Sequence, residues 1–317
     1  MNSLSKAHAS WLEIDESADG QRIDNFLAKA LKGVPRSHVY RILRSGEVRV
    51  NSGRISPGYR LQKGDKVRVP PVRLPAAAPV PRQSRGAPLG ENPLFEDDWL
   101  LAIDKPAGVA VHGGSGISMG VIERLRHERP DQPFLELVHR LDRETSGVLL
   151  LAKRRSALTN VHTQLREGRI EKRYRTLVLG NWTNERQSVR LPLRKTLSAG
   201  GERRVLVDED DGAVALTVFS LMGHYDGFSL LEAQLKTGRT HQIRVHLSHL
   251  GFPIAGDDKY GDFAANKQLE KNGLKRMFLH AVSMTLKHPH SGDRLQIQAP
   301  LASELERFLQ SVQRQAG

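Results

Sequence analysis

An unbroken apolar run, Val148-Leu149-Leu150-Leu151-Ala152, follows closely on the charged segment Arg140-Leu141-Asp142-Arg143-Glu144. A short apolar run bounded by polar residues predicts a fully buried strand. Asp142 is thus carried toward the core on the segment that feeds that strand. A carboxylate so placed is costly unless a cation or hydrogen-bond donors keep it ionised. It is therefore either half of a structural ion pair or a reactive group. Taken alone the segment favours the ion pair, because structural pairs also perturb titration.

Two later segments change that balance: Glu171-Lys172-Arg173-Tyr174, and Thr237-Gly238-Arg239-Thr240-His241-Gln242-Ile243-Arg244-Val245-His246-Leu247. With His139-Arg140-Leu141-Asp142 and Thr145-Ser146-Gly147 they carry a resemblance to the pseudouridine synthases whose signature is His-Arg-Leu-Asp-x-x-Thr-Ser-Gly. Those enzymes isomerise uridine to pseudouridine in RNA. The similarity spans roughly the whole chain. It includes Gln21-Arg22-Ile23-Asp24-Asn25-Phe26-Leu27, Leu31-Lys32-Gly33-Val34-Pro35 and Val111-His112-Gly113-Gly114-Ser115-Gly116.

The isomerisation breaks a C–N glycosidic bond, turns the base and joins its C5 to the same sugar carbon. No electrons, phosphate or water are consumed, so no redox cofactor, nucleotide or metal is expected. The sequence has neither a Gly-x-Gly-x-x-Gly fingerprint nor a Walker loop. Such chemistry calls for an anionic group at the sugar face of an extruded base, shielded from water. Asp142 is the candidate, either as a nucleophile or as a base toward the sugar. Arg244 is the best partner for keeping it ionised, since a guanidinium stays charged when desolvated; the resemblance also implies that pair. It further implies that Tyr174 packs on the base and offers its hydroxyl, although a strand tyrosine is by itself more often core. Arg140 resembles the family's wedge, filling the gap a flipped nucleotide leaves.

Net charge is +13, and its placement matters more than its size. Between Gly20 and Arg73 stand thirteen Lys or Arg and only three acids, a local excess of ten. A compact basic module points to a phosphate-rich partner. Apolar positions at Ile23, Phe26, Leu27, Ala30 and Leu31 predict a helix that Pro35 ends. Ser37 caps a second helix carrying Val39, Ile42 and Leu43 and stopping at Gly46, with Arg36, Arg41 and Arg44 facing away. Val48-Arg49-Val50 and Val67-Arg68-Val69 alternate as half-buried strands, with Arg49 outward. This pattern resembles the S4-type RNA-binding module.

The expected organisation is an N-terminal extension over 1–19, the S4-type α/β module over 20–75, a Pro/Ala-rich linker over 76–92, and a catalytic domain over 93–317. That last domain reads as α+β, with a mixed, mainly antiparallel sheet flanked by helices and loops. Strand-like runs at 100–103, 149–151, 174–179, 215–219, 229–235 and 295–297 are interrupted too irregularly by helices for a doubly wound sheet. A helix is expected over 156–165.

No apolar run approaches the roughly 18–20 residues that span a bilayer, and the first residues lack an apolar core for a secretion signal. Cysteine is absent, so thiolate metal sites are excluded. A cytoplasmic monomer with no membrane partner is expected. His241, His246 and His249 fall on an alternating stretch without a matching carboxylate, so a metal site is not expected and His241 is assigned an RNA-facing role. Aromatic residues are 5% of the chain, too few for broad base stacking. The resemblance implies several target uridines in 23S ribosomal RNA, free or in an assembling large subunit. Two rivals remain: a non-catalytic ribosome-associated RNA binder, and a nucleoside hydrolase or lyase. The loop at His112-Gly113-Gly114-Ser115-Gly116 has no Gly-x-Ser-x-Gly partner to support the latter.

Overall fold

The computed structural model describes residues 8–31, 34–72, 88–113, 119–197 and 203–312. The chain forms two compact units, Met1–Arg85 and Gly86–Gly317.

The first unit contains β1 (Ser10–Glu13), α1 (Ile23–Ala30), α2 (Arg36–Arg44), β2 (Arg49–Val50), β3 (Gly53–Arg54) and β4 (Lys66–Val69). Its antiparallel sheet runs in the order β1-β4-β2-β3. The apolar positions that predict the helices do face inward: Ile23, Leu27, Val39, Ile42 and Leu43 pack on Val50, Val67 and Val69. Ser10–Glu13, within the expected N-terminal extension, is an edge strand paired with β4 from Ser10↔Val69 to Glu13↔Lys66. One sequence expectation is corrected. Ser37 lies inside α2 rather than capping it; Pro35, with extended backbone, occupies the cap position without a side-chain bond. Arg36, Arg41, Arg44 and Arg49 are all exposed. Asp24 is buried where α1 meets α2, accepting from Arg22 Nη2 at 2.8 Å, Tyr40 Oη at 2.9 Å and Asn25 N–H at 2.8 Å. Those donors, Arg22 first, outweigh burial and bring its pKa down to about 2.

Most of the expected linker lies outside the described residues. Its end does not: the amides of Leu89 and Gly90 donate to Glu128, within the second unit.

The second unit runs β5 (Phe95–Glu96), β6 (Leu100–Lys105), α3 (Val121–Glu128), β7 (Glu136–Leu137), β8 (Ser146–Ala152), α4 (Arg155–Arg166), β9 (Glu171–Leu179), β10 (Arg186–Arg190), β11 (Leu193–Leu197), β12 (Arg203–Val207), β13 (Leu216–Tyr225), β14 (Phe228–Leu235), α5 (Gln242–His249), α6 (Phe263–Lys271), β15 (Leu279–Lys287), β16 (Arg294–Gln298) and α7 (Ser303–Ser311). Ten of these strands form one mixed sheet, β10-β13-β14-β9-β15-β8-β6-β5, with β16 beside β15 and β7 beside β8. Among the described strands only β15 and β8 run parallel, through His280↔Ser146 and Ala281↔Gly147. Strands β11 and β12 make a separate hairpin.

All seven residues of β8 are buried, as its apolar run requires. Leu149 and Leu151 enter one core with α3, α5 and α7; Val148, Leu150 and Ala152 enter another with α4. The sheet is therefore covered on both faces, and the loop preceding β8 is set down at its edge of entry into the core.

Candidate active site

Asp142 lies in the segment between β7 and β8, and backbone groups fix that segment from several sides. Val138 N–H donates to Leu150 O at 3.0 Å, and Leu150 N–H donates to His139 Nε2 at 3.1 Å. The His139 imidazole is an acceptor there, and burial pushes its pKa down to about 4, keeping it neutral. On the far side of Asp142, the fully buried Lys105 ammonium donates to Pro106 O and Val109 O at 2.8 Å and to Arg143 O at 3.0 Å. Burial drives this lysine down to about 7, while the three carbonyls match the three donors of its charged form. Arg276 Nη2 donates to Ser146 Oγ at 2.6 Å, and Ser146 Oγ lies 2.7 Å from His280 Nδ1.

The glycine of Thr145-Ser146-Gly147 has a steric cause. Gly147 sits at φ 106°, and a Cβ there would come within 2.2 Å of Ala281 O. Only glycine admits this approach of β8 to β15.

Arg244 comes from α5. The stretch reads as alternating in sequence, but it is a helix. Residues Gln242 through Leu247 are all buried, so no polar face discloses the helical period. Gln242 pins the turn ahead of it: its Oε1 accepts from Thr237 Oγ1 and Arg239 N–H, and its Nε2 donates to Leu216 O and Thr217 Oγ1.

Arg244 Nη1 is 3.6 Å from Asp142 Oδ2. Its tighter partner is Asp257, which receives Nε and Nη2 at 2.7 Å each. Burial works against the Arg244 charge, but Asp257 chiefly, then Asp142 and Asp258, hold it protonated. Asp257 likewise stays ionised against burial through these bonds, with further donors from the amides of Lys259 and Tyr260. Tyr260 places its ring 5.1 Å from the Arg244 guanidinium carbon. Neither Asp257 nor Tyr260 was found from the sequence.

Tyr174 on β9 is buried, flanked in the sheet by Ala233 and Ala281. Burial, and next the Asp142 charge, push its phenol above the ordinary tyrosine range, so it stays protonated. Lys172, two residues earlier and on the same strand face, is also depressed by burial.

Asp142, Tyr174, Arg244, Arg140, His241 and Lys172 all line one cleft of about 390 Å³, within the roughly 300–1,000 Å³ of small-molecule sites. A second cavity, about 610 Å³, shares Arg140, Leu141, Asp142, His241 and Arg244 and extends past His112, Gly113 and Lys259. Asp142 is one of the five residues common to both. Arg140 is exposed on both.

The glycine-rich loop borders this second cavity through His112 and Gly113. Glu123 accepts from Gly113 N–H and Gly120 N–H, tying its ends. Gly114, Ser115 and Gly116 lie outside the described residues. Among the described residues, no group of three or more His, Asp or Glu is arranged to hold a metal. His246 in particular has both ring nitrogens in contact, with Thr217 Oγ1 and Leu191 O at 3.1 Å. The basic residues Arg36, Arg41, Arg44 and Arg49 belong to the other unit.

Residues 99–249 match the family described as RNA pseudouridylate synthase, and residues 21–67 match the S4 domain. The chain is 52% identical over 307 residues to the ribosomal large subunit pseudouridine synthase C of Pasteurella multocida (strain Pm70), covering 96% of this chain and 94% of that one. It is 51% identical over 298 residues to the protein of the same name from Escherichia coli (strain K12), covering 92% and 93%. The solved human RNA pseudouridylate synthase domain containing 1 shares the fold, with a TM-score of 0.59 and 23% identity over 74% of this chain and 92% of that one.

Proposed function

This chain belongs to the RNA pseudouridylate synthase family, and on that premise we propose that it converts several uridines of 23S ribosomal RNA to pseudouridine, with Asp142 as the reacting carboxylate. The observation that carries the assignment of Asp142 is its position: an ionisable group lining both cavities, with a buried guanidinium 3.6 Å away and a protonated phenol in the same cleft.

The reaction breaks C1′–N1, forms C1′–C5, moves a proton off C5 and leaves one on N1. Atoms and electrons balance within the nucleoside, so the protein must supply only a carboxylate, proton carriers and a dry site. Asp142 acts while ionised, as nucleophile or as base. Arg244 keeps it so. Tyr174 packs on the base and offers its hydroxyl for proton transfer, starting from the protonated phenol that burial favours. Arg140, exposed on the rim, fills the space left when the nucleotide is extruded, which costs a few kcal/mol. The basic module, with Arg36, Arg41, Arg44 and Arg49, holds RNA through phosphates and shape. His241 faces the RNA from inside the cleft. The enzyme works as a monomer in the cytoplasm, on protein-free 23S RNA or an assembling subunit.

Tritium release from C5-labelled uridine in 23S transcripts tests this. The wild type releases tritium and Asp142→Asn does not; equal release from both removes Asp142 from the chemistry. Modified base retained in the RNA supports isomerisation, whereas free uracil identifies a hydrolase. No release from either protein identifies a binder.

A further inference from the structure

Tyr260 makes a pair of contacts that together favour one proton position. Its hydroxyl oxygen accepts the Val205 N–H, from β12, at 2.9 Å. The same oxygen lies 2.8 Å from His241 Nδ1. A backbone N–H can only donate, so the hydroxyl oxygen spends a lone pair on Val205, which favours turning its own proton toward Nδ1 over accepting a second donor. Nδ1 is then an acceptor, and a neutral imidazole carries its hydrogen on Nε2. That nitrogen faces Asp142, 3.9 Å from Oδ1.

We propose that Tyr260 is a positioning residue that holds His241 as the neutral Nε2–H tautomer, offering an uncharged donor to an oxygen of the ribonucleoside bound against Asp142. This rests on the assignment of Asp142 to the reaction. The 3.9 Å gap exceeds a hydrogen bond's length, so the donor is not consumed by the carboxylate and is left for the substrate.

Three further features fit. His241 adopts φ 53° and ψ 22°, a left-handed conformation uncommon for a residue with a Cβ and concentrated at functional sites. Burial, then the neighbouring Arg244 and Lys259 charges, oppose a proton on the ring more than Asp142 favours one. Tyr260 also meets the His241 ring edge-on, with centroids 5.4 Å apart, while its ring lies against Arg244. A single phenol thereby contacts both side chains that flank Asp142. Through Val205 it also anchors the β11–β12 hairpin.

Long-range proton–nitrogen NMR on the full chain with labelled histidine reads the tautomer directly. The expected His241 spectrum has a bare Nδ1 and a protonated Nε2. In Tyr260→Phe, which keeps the ring, the Nδ1 resonance moves and an Nδ1–H population appears. A wild-type ring protonated on Nδ1, or on both nitrogens, overturns the proposal, as does a Tyr260→Phe spectrum unchanged from wild type. If that variant does not fold, the wild-type spectrum alone decides. On 23S transcripts, Tyr260→Phe lowers kcat roughly tenfold, as loss of one net hydrogen bond would, with KM unchanged. The two assignments separate cleanly. An active Asp142→Asn overturns the role of Asp142 whatever the tautomer, and a wrong tautomer beside an inactive Asp142→Asn overturns only the role of Tyr260.

Discussion

Arg244 is held by Asp257 more closely than by Asp142: two bonds of 2.7 Å on one side, a single approach of 3.6 Å on the other. Asp257 is thus the anchor, and Asp142 is left a carboxylate with a cation beside it but no short bond to it. That looser contact suits the reacting role proposed for Asp142. Asp257→Ala would leave a buried guanidinium without its anchor, at a cost of about 3–5 kcal/mol. The urea midpoint falls with an unchanged slope, and Asp257→Asn loses less.

Gly147 tolerates no side chain. In Gly147→Ala the new methyl meets Ala281 O, and the left-handed backbone adds strain. The parallel β8–β15 pairing must open, so a thermal midpoint lower by several degrees is expected. A variant that melts with the wild type would show that the two strands can separate freely.

The Tyr174 phenol should not ionise in the ordinary tyrosine range near about 10. Ultraviolet difference titration of wild type against Tyr174→Phe tests this, and the difference stays flat through that range. Turnover by the variant falls by roughly 10²-fold or more if the hydroxyl transfers a proton. Full activity would remove the hydroxyl from the chemistry.

His139 and His280 are both depressed to about 4 by burial, below the ordinary value of 6.5. Unfolded chains take up these protons as pH drops through 6.5, while the native protein resists until about 4. Their stabilising contribution is complete above that upper value and is lost progressively across the interval. Urea unfolding across this range should show a slope approaching two protons. His139→Gln, which retains an acceptor for Leu150, removes about half of it.

Removing residues 1–85 takes away one compact unit and leaves the other intact. The shortened chain should keep its cooperative unfolding but bind 23S RNA more weakly, with a shallower dependence on salt. Equal affinity at every salt concentration would show that the basic module does not anchor RNA.

Asp142 and Arg244 stand out as candidates because each sits in a contiguous segment whose residue types are informative together, whereas Tyr174 stands out only through the family resemblance. Their convergence on one cleft was not legible, since β9 and α5 reach it through sheet order. Asp257 and Tyr260 escaped notice because Gly256-Asp257-Asp258-Lys259-Tyr260 looks like an ordinary polar turn. Its importance comes from what it touches. Lys105 ends an apolar strand and reads as a surface terminus, yet its ammonium turns inward to three carbonyls. Helix α5 was missed for the opposite reason, being buried along nearly its whole length.

The parallel contact between β8 and β15 joins Ser146 to His280, 134 positions apart. During synthesis, a growing polypeptide can expose its basic head long before this seam is translated. Tyr174, Arg244 and the seam must all have left the ribosome before the acid has its neighbours. A half-made chain therefore has its basic module before Asp142 has the neighbours that β9, α5 and β15 bring to it.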